Sequence, residues 1–390
     1  MMHPANPVAA ATHPNPYRYY AALARERSLR RDDALGFWVA SSAEAVTAVL
    51  ASPLCWVRPP NEPVPKALLG STAGDVFRHL VRMDDGVGHC LLKRALSGTL
   101  ALLDQRHVGD ISRRWAAALS APLAAVPKPG ELTRFMFDLP VYVVGILLGI
   151  PEAALPRLAL LTGSFVGCLA STGSPEQIES GKVAAAELLD LFRSHLADHR
   201  FVAGDNLLAA FAREVKRTGR EDLSVVAANA IGLLSQAYEA TAGLIGNTLL
   251  VLARDAGLRR AVHDDKGALE GIVNEVSRCD PSIQNTRRWA AEAGIVANQS
   301  VEAGDGILIV LAAANRDPSV NPDPDRFDPS RQDRRCFTFG AGVHACPGER
   351  LAAAVAVAGV GRMIVPGQDL GFLAGPVSYR ASANARIPFL

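Results

Sequence analysis

The stretch Phe339-Gly340-Ala341-Gly342-Val343-His344-Ala345-Cys346-Pro347-Gly348 decides how the rest of this chain is read. It gathers three glycines, a histidine, an aromatic residue and a cysteine directly ahead of the apolar run Leu351–Val360, whose texture predicts a helix. Gly340, Gly342 and Gly348 admit positive φ or a close approach of backbone to a flat ligand. A cysteine just before a helix lies near the positive end of the helix dipole, with backbone N–H groups aimed at its sulfur, and both favour the thiolate. Pro347 suits a first helical turn, where its missing N–H is not needed. Two readings are open on these residues alone. One is a glycine-rich turn that carries a buried cysteine ahead of a core helix. The other is a loop that presents a thiolate to the iron of a planar macrocycle, with the Phe339 ring shielding the sulfur.

Upstream of the loop, helical periodicity dominates. Tyr17–Arg27 and Ser42–Leu50 have the spacing of short helices, with a strand-like Gly36-Phe37-Trp38-Val39-Ala40 between them. His89–Thr99 and Leu139–Leu148 are apolar-rich helical segments, and Ser180–His199 is long and amphipathic. Leu223–Ala253 carries few charges and is expected to run through the core. Asn274–Cys279 belongs to a further helix, stopped at Asp280-Pro281. Beyond it, Arg287–Ala290, Ile295–Ala297 and Ile307–Ile309 read as short strands, Asn321–Asp333 has no periodicity, and the helix opened by Pro347 runs to about Val360. The expected fold class is mainly α with a minor β portion. One domain over 1–390 is expected, since no Gly/Ser linker divides the chain.

The chain has 390 residues, 49% of them hydrophobic, enough for a large core. A net charge of +1 leaves no global field to recruit nucleic acid or an anionic membrane. The N-terminal MMHPANPVAAATHPNPYRYY lacks the basic segment and apolar stretch of a secretory signal. The longest apolar runs, such as Leu351–Val360, fall short of a membrane span, so a cytoplasmic location without membrane insertion is expected. Cys55, Cys90, Cys168, Cys279, Cys336 and Cys346 are scattered with no CxxC pair. That argues against a disulfide framework in a reducing compartment and against a zinc site. Five of the six read as small buried apolar residues, and Cys346 is set apart by its neighbours.

The loop resembles the haem-binding signature of the cytochromes P-450 in its bacterial form, FGxGxHxCxG. The resemblance implies that family's fold, a haem b (iron protoporphyrin IX), and Cys346 as the axial ligand of its iron. An axial thiolate pushes electron density onto the metal and favours cleavage of the O–O bond. The resemblance covers nearly the whole chain. Glu275-x-x-Arg278 resembles the family's ExxR pair, on one helical face at i and i+3. Arg326, in Pro324-Asp325-Arg326-Phe327, looks like the third member of a Glu–Arg–Arg network behind the cysteine loop. His89 and Lys93, four apart and so on one face, match the positions where the family sets His and Arg against the haem propionates. Arg288 and His344 look like the other propionate donors. Lysine at 93 keeps the charge and loses the bidentate fork. Phe339, Gly340 and Gly348 complete the cofactor-binding set.

The same resemblance exposes a departure on the oxygen side. The family pattern in the central helix is Ala/Gly-Gly-x-Asp/Glu-Thr-Thr, and this chain has Gln236-Ala237-Tyr238-Glu239-Ala240-Thr241. Leu244-Ile245-Gly246-Asn247 matches the family without a gap and sets the register. Glu239 then holds the acid position, and Ala240 stands where most members carry the catalytic threonine. Gln236 holds the first small-residue position. Thr241, the next residue on, is turned about 100° around the helix. The missing hydroxyl normally helps position water for proton delivery, and without it oxygen activation leaks peroxide. Gln236, Glu239, Ala240 and Thr241 are therefore the candidate catalytic positions, with Gln236 and Glu239 expected to substitute jointly for the hydroxyl. A substrate hydroxyl, or hydrogen peroxide as the oxidant, would serve instead. So would an ordered water, with Gln236 bonded to its own backbone.

The resemblance also sketches the pocket and the partners. Its walls are expected from Cys55–Leu80, Leu155–Leu196, the residues after Pro281 and the turn Ser382–Ala385. Trp56, Val57, Phe165, Val166, Ile283 and Gln284 would suit a mid-sized, partly apolar organic substrate. With no fused flavin or nicotinamide domain, electrons are expected from a separate ferredoxin and its reductase. Arg331, Arg334, Arg335 and Arg350 would offer the ferredoxin a basic face. The expected activity is that of a bacterial haem-thiolate monooxygenase of secondary metabolism, working as a monomer. Its alternatives are a peroxide-driven peroxygenase or peroxidase and another oxidative type such as coupling or dealkylation. A catalytically idle partner protein ranks lower because Cys346 keeps its full setting, and a haem sensor or carrier ranks lower because Glu239 and the substrate-pocket scaffold would then be unneeded.

Overall fold

The computed structural model describes residues 3–26, 29–124, 126–128, 130–170, 173–220, 222–364 and 370–390, all but the side chain of Val87. Its organising element is the helix Leu223–Arg254, 32 residues and so about 48 Å long. Asp222 caps it by accepting from Ser224 N at 2.8 Å, and Asp255 ends it by capping the next helix through Gly257 N and Leu258 N. Glu239 and Arg254 are its only charged residues, so it is apolar nearly all round and must be enclosed. The helices Glu131–Leu147, Leu155–Leu169, Pro175–Ala197, Ala268–Cys279 and Glu349–Met363 enclose it. Each buried Leu or Ile contributes about 1.5–3 kcal/mol. A charge at Ile231 or Ile245, both fully buried, would break this packing.

The strands form a small second layer. β1 (Arg30–Asp32), β2 (Phe37–Ala40), β3 (Cys55–Trp56), β4 (Thr286–Ala290) and β7 (Gly306–Ile309) make one sheet in the order β1-β2-β7-β4-β3. Among the described residues, only β2 and β7 pair in parallel. β5 (Gly294–Val296) and β6 (Gln299–Val301) form a separate hairpin. β5 stops one residue short of expectation because Ala297 and Asn298 take the left-handed conformation its tight turn requires.

The mainly-α class with a minor β portion stands, and the differences are local. Helix Glu131–Leu147 starts eight residues before the expected Leu139, since Pro140 inside it masks its continuity. The amphipathic helix begins at Pro175, behind a Ser174–Gln177 capping box. The first expected helix ends at Leu23, and Arg27 lies outside the described residues. Pro347 lies ahead of the last helix, which Gly348 caps and Glu349 begins. Two of the five cysteines expected to be buried are not: Cys90 is exposed and Cys336 half-buried. Against expectation, one window among the described residues, Glu152–Leu169, is long and apolar enough to cross a membrane. Its helical part, Leu155–Leu169, buries one face against Glu131–Leu147 and Pro175–Ala197, and leaves Leu160 outward.

Candidate active site

The cysteine loop is tied to the helix Ala268–Cys279 behind it. Thr338 Oγ1 donates to Ser277 O at 2.6 Å, and Phe337 N donates to Asn315 Oδ1 at 2.6 Å. Gly340 N then donates to Phe337 O and Cys346 N to Phe339 O, each at 2.8 Å, which folds the segment back on itself. Gly340 and Gly342 have φ of +70° and +66°, where a side chain costs roughly 1–2 kcal/mol. A Cβ at Gly342 would also stand 3.1 Å from Leu50 O. Cys346 ends the loop. Burial pushes its thiol pKa up, while the Gly348 N–H and the Lys93 ammonium favour the thiolate. The cysteine is still accessible. A depression of about 430 Å³ opens beside it, lined by Lys93, Val343, Pro347 and Arg350 among others and by no residue of the central helix.

The supporting network forms with a different third arginine. Arg278 Nη2 donates to Glu275 Oε1 at 2.7 Å, and both side chains are fully buried. The next partner is Arg334, whose Nε donates to Glu275 Oε2 at 2.9 Å. Arg331 stands at 3.5 Å from Oε1. Arg326, expected in this role, offers only its carbonyl, which accepts from Arg278 Nη2 and Arg331 Nη2 at 3.2 Å each; its side chain is exposed. The reason is geometric: Pro324–Phe327 wraps over Arg278 by its backbone, and the chain reaches Glu275 with side chains only several residues later. Arg331 and Arg334, 11% and 16% exposed, are therefore turned inward and are not docking residues. Arg335 and Arg350 remain exposed.

A second cluster gathers the four expected propionate donors. Lys93 Nζ donates to Ala345 O at 2.6 Å, tying the helix Gly86–Ala101 to the cysteine loop. The His89 and His344 rings lie 4.2 Å apart. His344 Nε2 is 3.0 Å from Asp85 Oδ1, and Asp85 Oδ2 accepts from Val57 N at 3.1 Å. Burial, followed by His344 and Lys93, pushes the His89 pKa down to about 4 against the pull of Asp85 and Asp84. His89 is thus neutral near pH 7 and can donate one N–H. Burial also lowers the Arg288 pKa, again opposed by Asp85. Asp85 was not foreseen: an acid at a helix N-cap carries no further sequence signal.

The central helix is buried over most of its length and becomes accessible at Gln236–Ala240. Gln236, Glu239 and Ala240 share this open face, while Thr241 is 2% exposed on the buried side. Gln236 Nε2 donates to Gly232 O at 2.8 Å, so its amide is folded back onto its own helix. Burial raises the Glu239 pKa, in spite of Arg380 and Arg82 nearby. Sequence reasoning missed both arginines, which come from a turn and a C-terminal segment remote in the chain. Of the expected pocket walls, Phe165, Gln284 and Val57 are core residues, whereas Trp56, Val166 and Ile283 are at least partly accessible.

A long core helix open at one turn, a glycine-bent cysteine loop and a basic cluster beside it together define the haem-thiolate class of protein. The comparisons agree. The Cytochrome P450 family model matches residues 221–364. Cytochrome P450 107B1 of Saccharopolyspora erythraea is 31% identical over 250 residues, 64% of this chain and 60% of that protein. The 20-oxo-5-O-mycaminosyltylactone 23-monooxygenase of Streptomyces fradiae is 28% identical over 89% of this chain and 81% of its own. The crystal structure of CalO2 superposes with a TM-score of 0.82 at 21% identity, covering 96% of this chain and 94% of that one. The matches to the first relatives thus span somewhat more than half of those proteins. Together these findings support the cytochrome P450 superfamily for this chain. That family carries haem with a thiolate ligand, and the donor chemistry here suits the group: an accessible thiol beside a basic cluster.

Proposed function

We propose that this chain binds haem b through the Cys346 thiolate and works as a monooxygenase. One atom of O2 would enter a partly apolar organic substrate and the other would leave as water. The observation that carries the reading is the setting of Cys346, with the Gly348 N–H at its sulfur, Lys93 on the neighbouring Ala345 O, and the loop pinned to the helix that carries the buried Glu275–Arg278 pair. The monooxygenase named among the relatives supports it. Lys93, Arg288, His89 and His344 would hold the propionates, the first two by charge and His89 as a neutral donor. Gly340 and Gly348 shape the loop, and Phe339 shields the sulfur. When bound, such a haem supplies oxygen activation at its iron.

On the opposite side, Glu239 holds a proton at its carboxyl above the usual carboxylate range and can pass it into the open turn at Ala240. Gln236 keeps its Nε2 on Gly232 O, and its Oε1 would serve to order water. A peroxide-driven cycle is the second reading, favoured by one observation: Ala240 offers no hydroxyl at the open face and that of Thr241 is buried. We assign electron delivery to a separate ferredoxin and its reductase, docking near Arg335 and Arg350. We further propose a single-domain, monomeric, cytoplasmic protein.

The first test is the carbon monoxide difference spectrum of the reduced protein. A band near 450 nm supports thiolate ligation, and its loss in Cys346→Ser assigns the ligand. A band at 420 nm in freshly purified wild type would remove the reading. Parallel assays with ferredoxin plus NAD(P)H and with peroxide separate the two oxidants.

A further inference from the structure

The central helix carries a continuous stripe, Asn229–Gly232–Gln236–Glu239/Ala240–Gly243–Asn247, at helical spacing. Both ends of the stripe are covered. At the upstream end, Asn229 Oδ1 accepts from Val81 N at 2.8 Å and its Nδ2 donates to His79 O at 2.8 Å. A Cβ on Gly232 would stand 2.9 Å from Leu80 Cδ2, so the turn Val81–Met83 is seated on the helix. At the downstream end, Asn247 Nδ2 donates to Arg386 O at 3.3 Å, and a Cβ on Gly243 would stand 3.0 Å from that same oxygen. The terminal segment closed by the Tyr379–Pro388 bridge is seated there, with Arg380 N donating to Ile387 O at 2.9 Å. Between the two covers the stripe is open, at Gln236–Ala240.

Each cover brings one arginine to that opening: Arg82 from the upstream turn and Arg380 from the terminal segment. Both side chains are accessible, and both lie within electrostatic reach of Glu239. Among the described residues, neither guanidinium donates a hydrogen bond or forms an ion pair; Arg380 rests over the Phe137 ring at 4.7 Å. Arg82 keeps solvent contact along its side chain, and desolvation lowers its pKa against the pull of Glu239. Glu239, whose burial favours the protonated acid, can balance at most one of the two charges. The opening is then left with at least one net positive charge, which attracts an anionic group.

We propose that the substrate of this site is an organic molecule bearing one carboxylate, gripped by Arg82 with support from Arg380. This rests on the reading that haem occupies the Cys346 side. The carboxylate sets the orientation, and the rest of the molecule extends past Gln236 and Ala240 toward the reacting centre. A guanidinium fork matches a carboxylate in shape as well as charge.

The test uses ω-(imidazol-1-yl)alkanoic acids of graded chain length and their methyl esters. The imidazole anchors each probe at the iron whatever skeleton the natural substrate has. Binding is read from the Soret shift of the haem-loaded protein. At the chain length that spans the site, the acid should bind about tenfold or more tightly than its ester. Arg82→Gln should erase that preference and leave the ester's affinity unchanged, which also shows that the variant is folded. Arg82→Lys should retain part of it, and Arg380→Gln should reduce it by a smaller factor. Equal binding of acid and ester at every length overturns the proposal, as does a preference that survives in the Arg82→Gln/Arg380→Gln double variant. If 4-phenylimidazole itself gives no Soret shift, the haem reading fails and the proposal with it.

Discussion

Replacing Arg334 by alanine should cost the folded protein about 2 kcal/mol, while replacing Arg326 should leave it within about 0.5 kcal/mol. Arg334 Nε donates to Glu275 Oε2 at 2.9 Å and its Nη2 donates to Pro329 O at 3.1 Å. A hydrogen bond to a charged acceptor contributes about 1.5–3 kcal/mol, and one to a carbonyl about 0.5–1.5 kcal/mol. The side chain is mostly shielded, so solvent screening removes little of this. Glu275 keeps Arg278 and the Asp328 N–H after the change, so its charge is not orphaned and the loss stays near the lower end of the sum. Glu275→Ala differs: it strands the fully buried Arg278 guanidinium and should cost about 3–5 kcal/mol. The assay is urea denaturation of haem-loaded protein, followed by far-ultraviolet circular dichroism, with the slope compared between variants. An Arg326→Ala loss as large as that of Arg334→Ala would refute the assignment of the third arginine.

The same site predicts a pH dependence. Burial alone would raise the Glu275 pKa, but the hydrogen bonds from Arg278 and Arg334 outweigh it and hold the carboxyl below its ordinary 4.5. A carboxylate depressed on folding stabilises fully above its unfolded pKa, and that contribution is lost as pH falls through the folded value. The advantage of wild type over Glu275→Gln should therefore be constant near neutrality and shrink only below about pH 4.5.

Three further outcomes are expected. Gly340→Ala and Gly342→Ala should each cost about 1–2 kcal/mol of loop stability, the latter more because its Cβ meets Leu50 O, read as conversion of the carbon monoxide band from 450 toward 420 nm. Glu239 has a raised folded pKa, so the folded state holds its proton longer than the unfolded chain and stability falls as pH rises above the ordinary 4.5; Glu239→Gln should gain stability relative to wild type at alkaline pH and none at acid pH, while forming less product per electron consumed. Arg350→Glu should weaken ferredoxin-driven turnover, most at low ionic strength, and spare peroxide-driven turnover; equal loss in both would end the docking assignment.

The sequence by itself determined the elements whose signals are local. Gly340 and Gly342 were legible because positive φ is a property of single residues. The central helix was legible because a long run nearly free of charge can only be a core element. The i, i+3 pair Glu275–Arg278 and the i, i+4 pair His89–Lys93 follow from helical geometry alone. Only the tertiary structure could decide which arginine completes the Glu275 network. Arg326 is near in sequence pattern but contributes backbone, and Arg334 arrives after the chain has turned. The same holds for Asp85 against His344, for the folding back of Gln236 onto Gly232, and for Arg82 and Arg380 meeting at Glu239. Each of these depends on where a side chain from one segment ends relative to another, and no periodicity encodes that distance. The cysteine's side of the site lies largely within short stretches of chain and was nearly readable in advance. The opposite side is assembled from a turn, a core helix and a C-terminal segment, so its charge balance existed only once they were packed together.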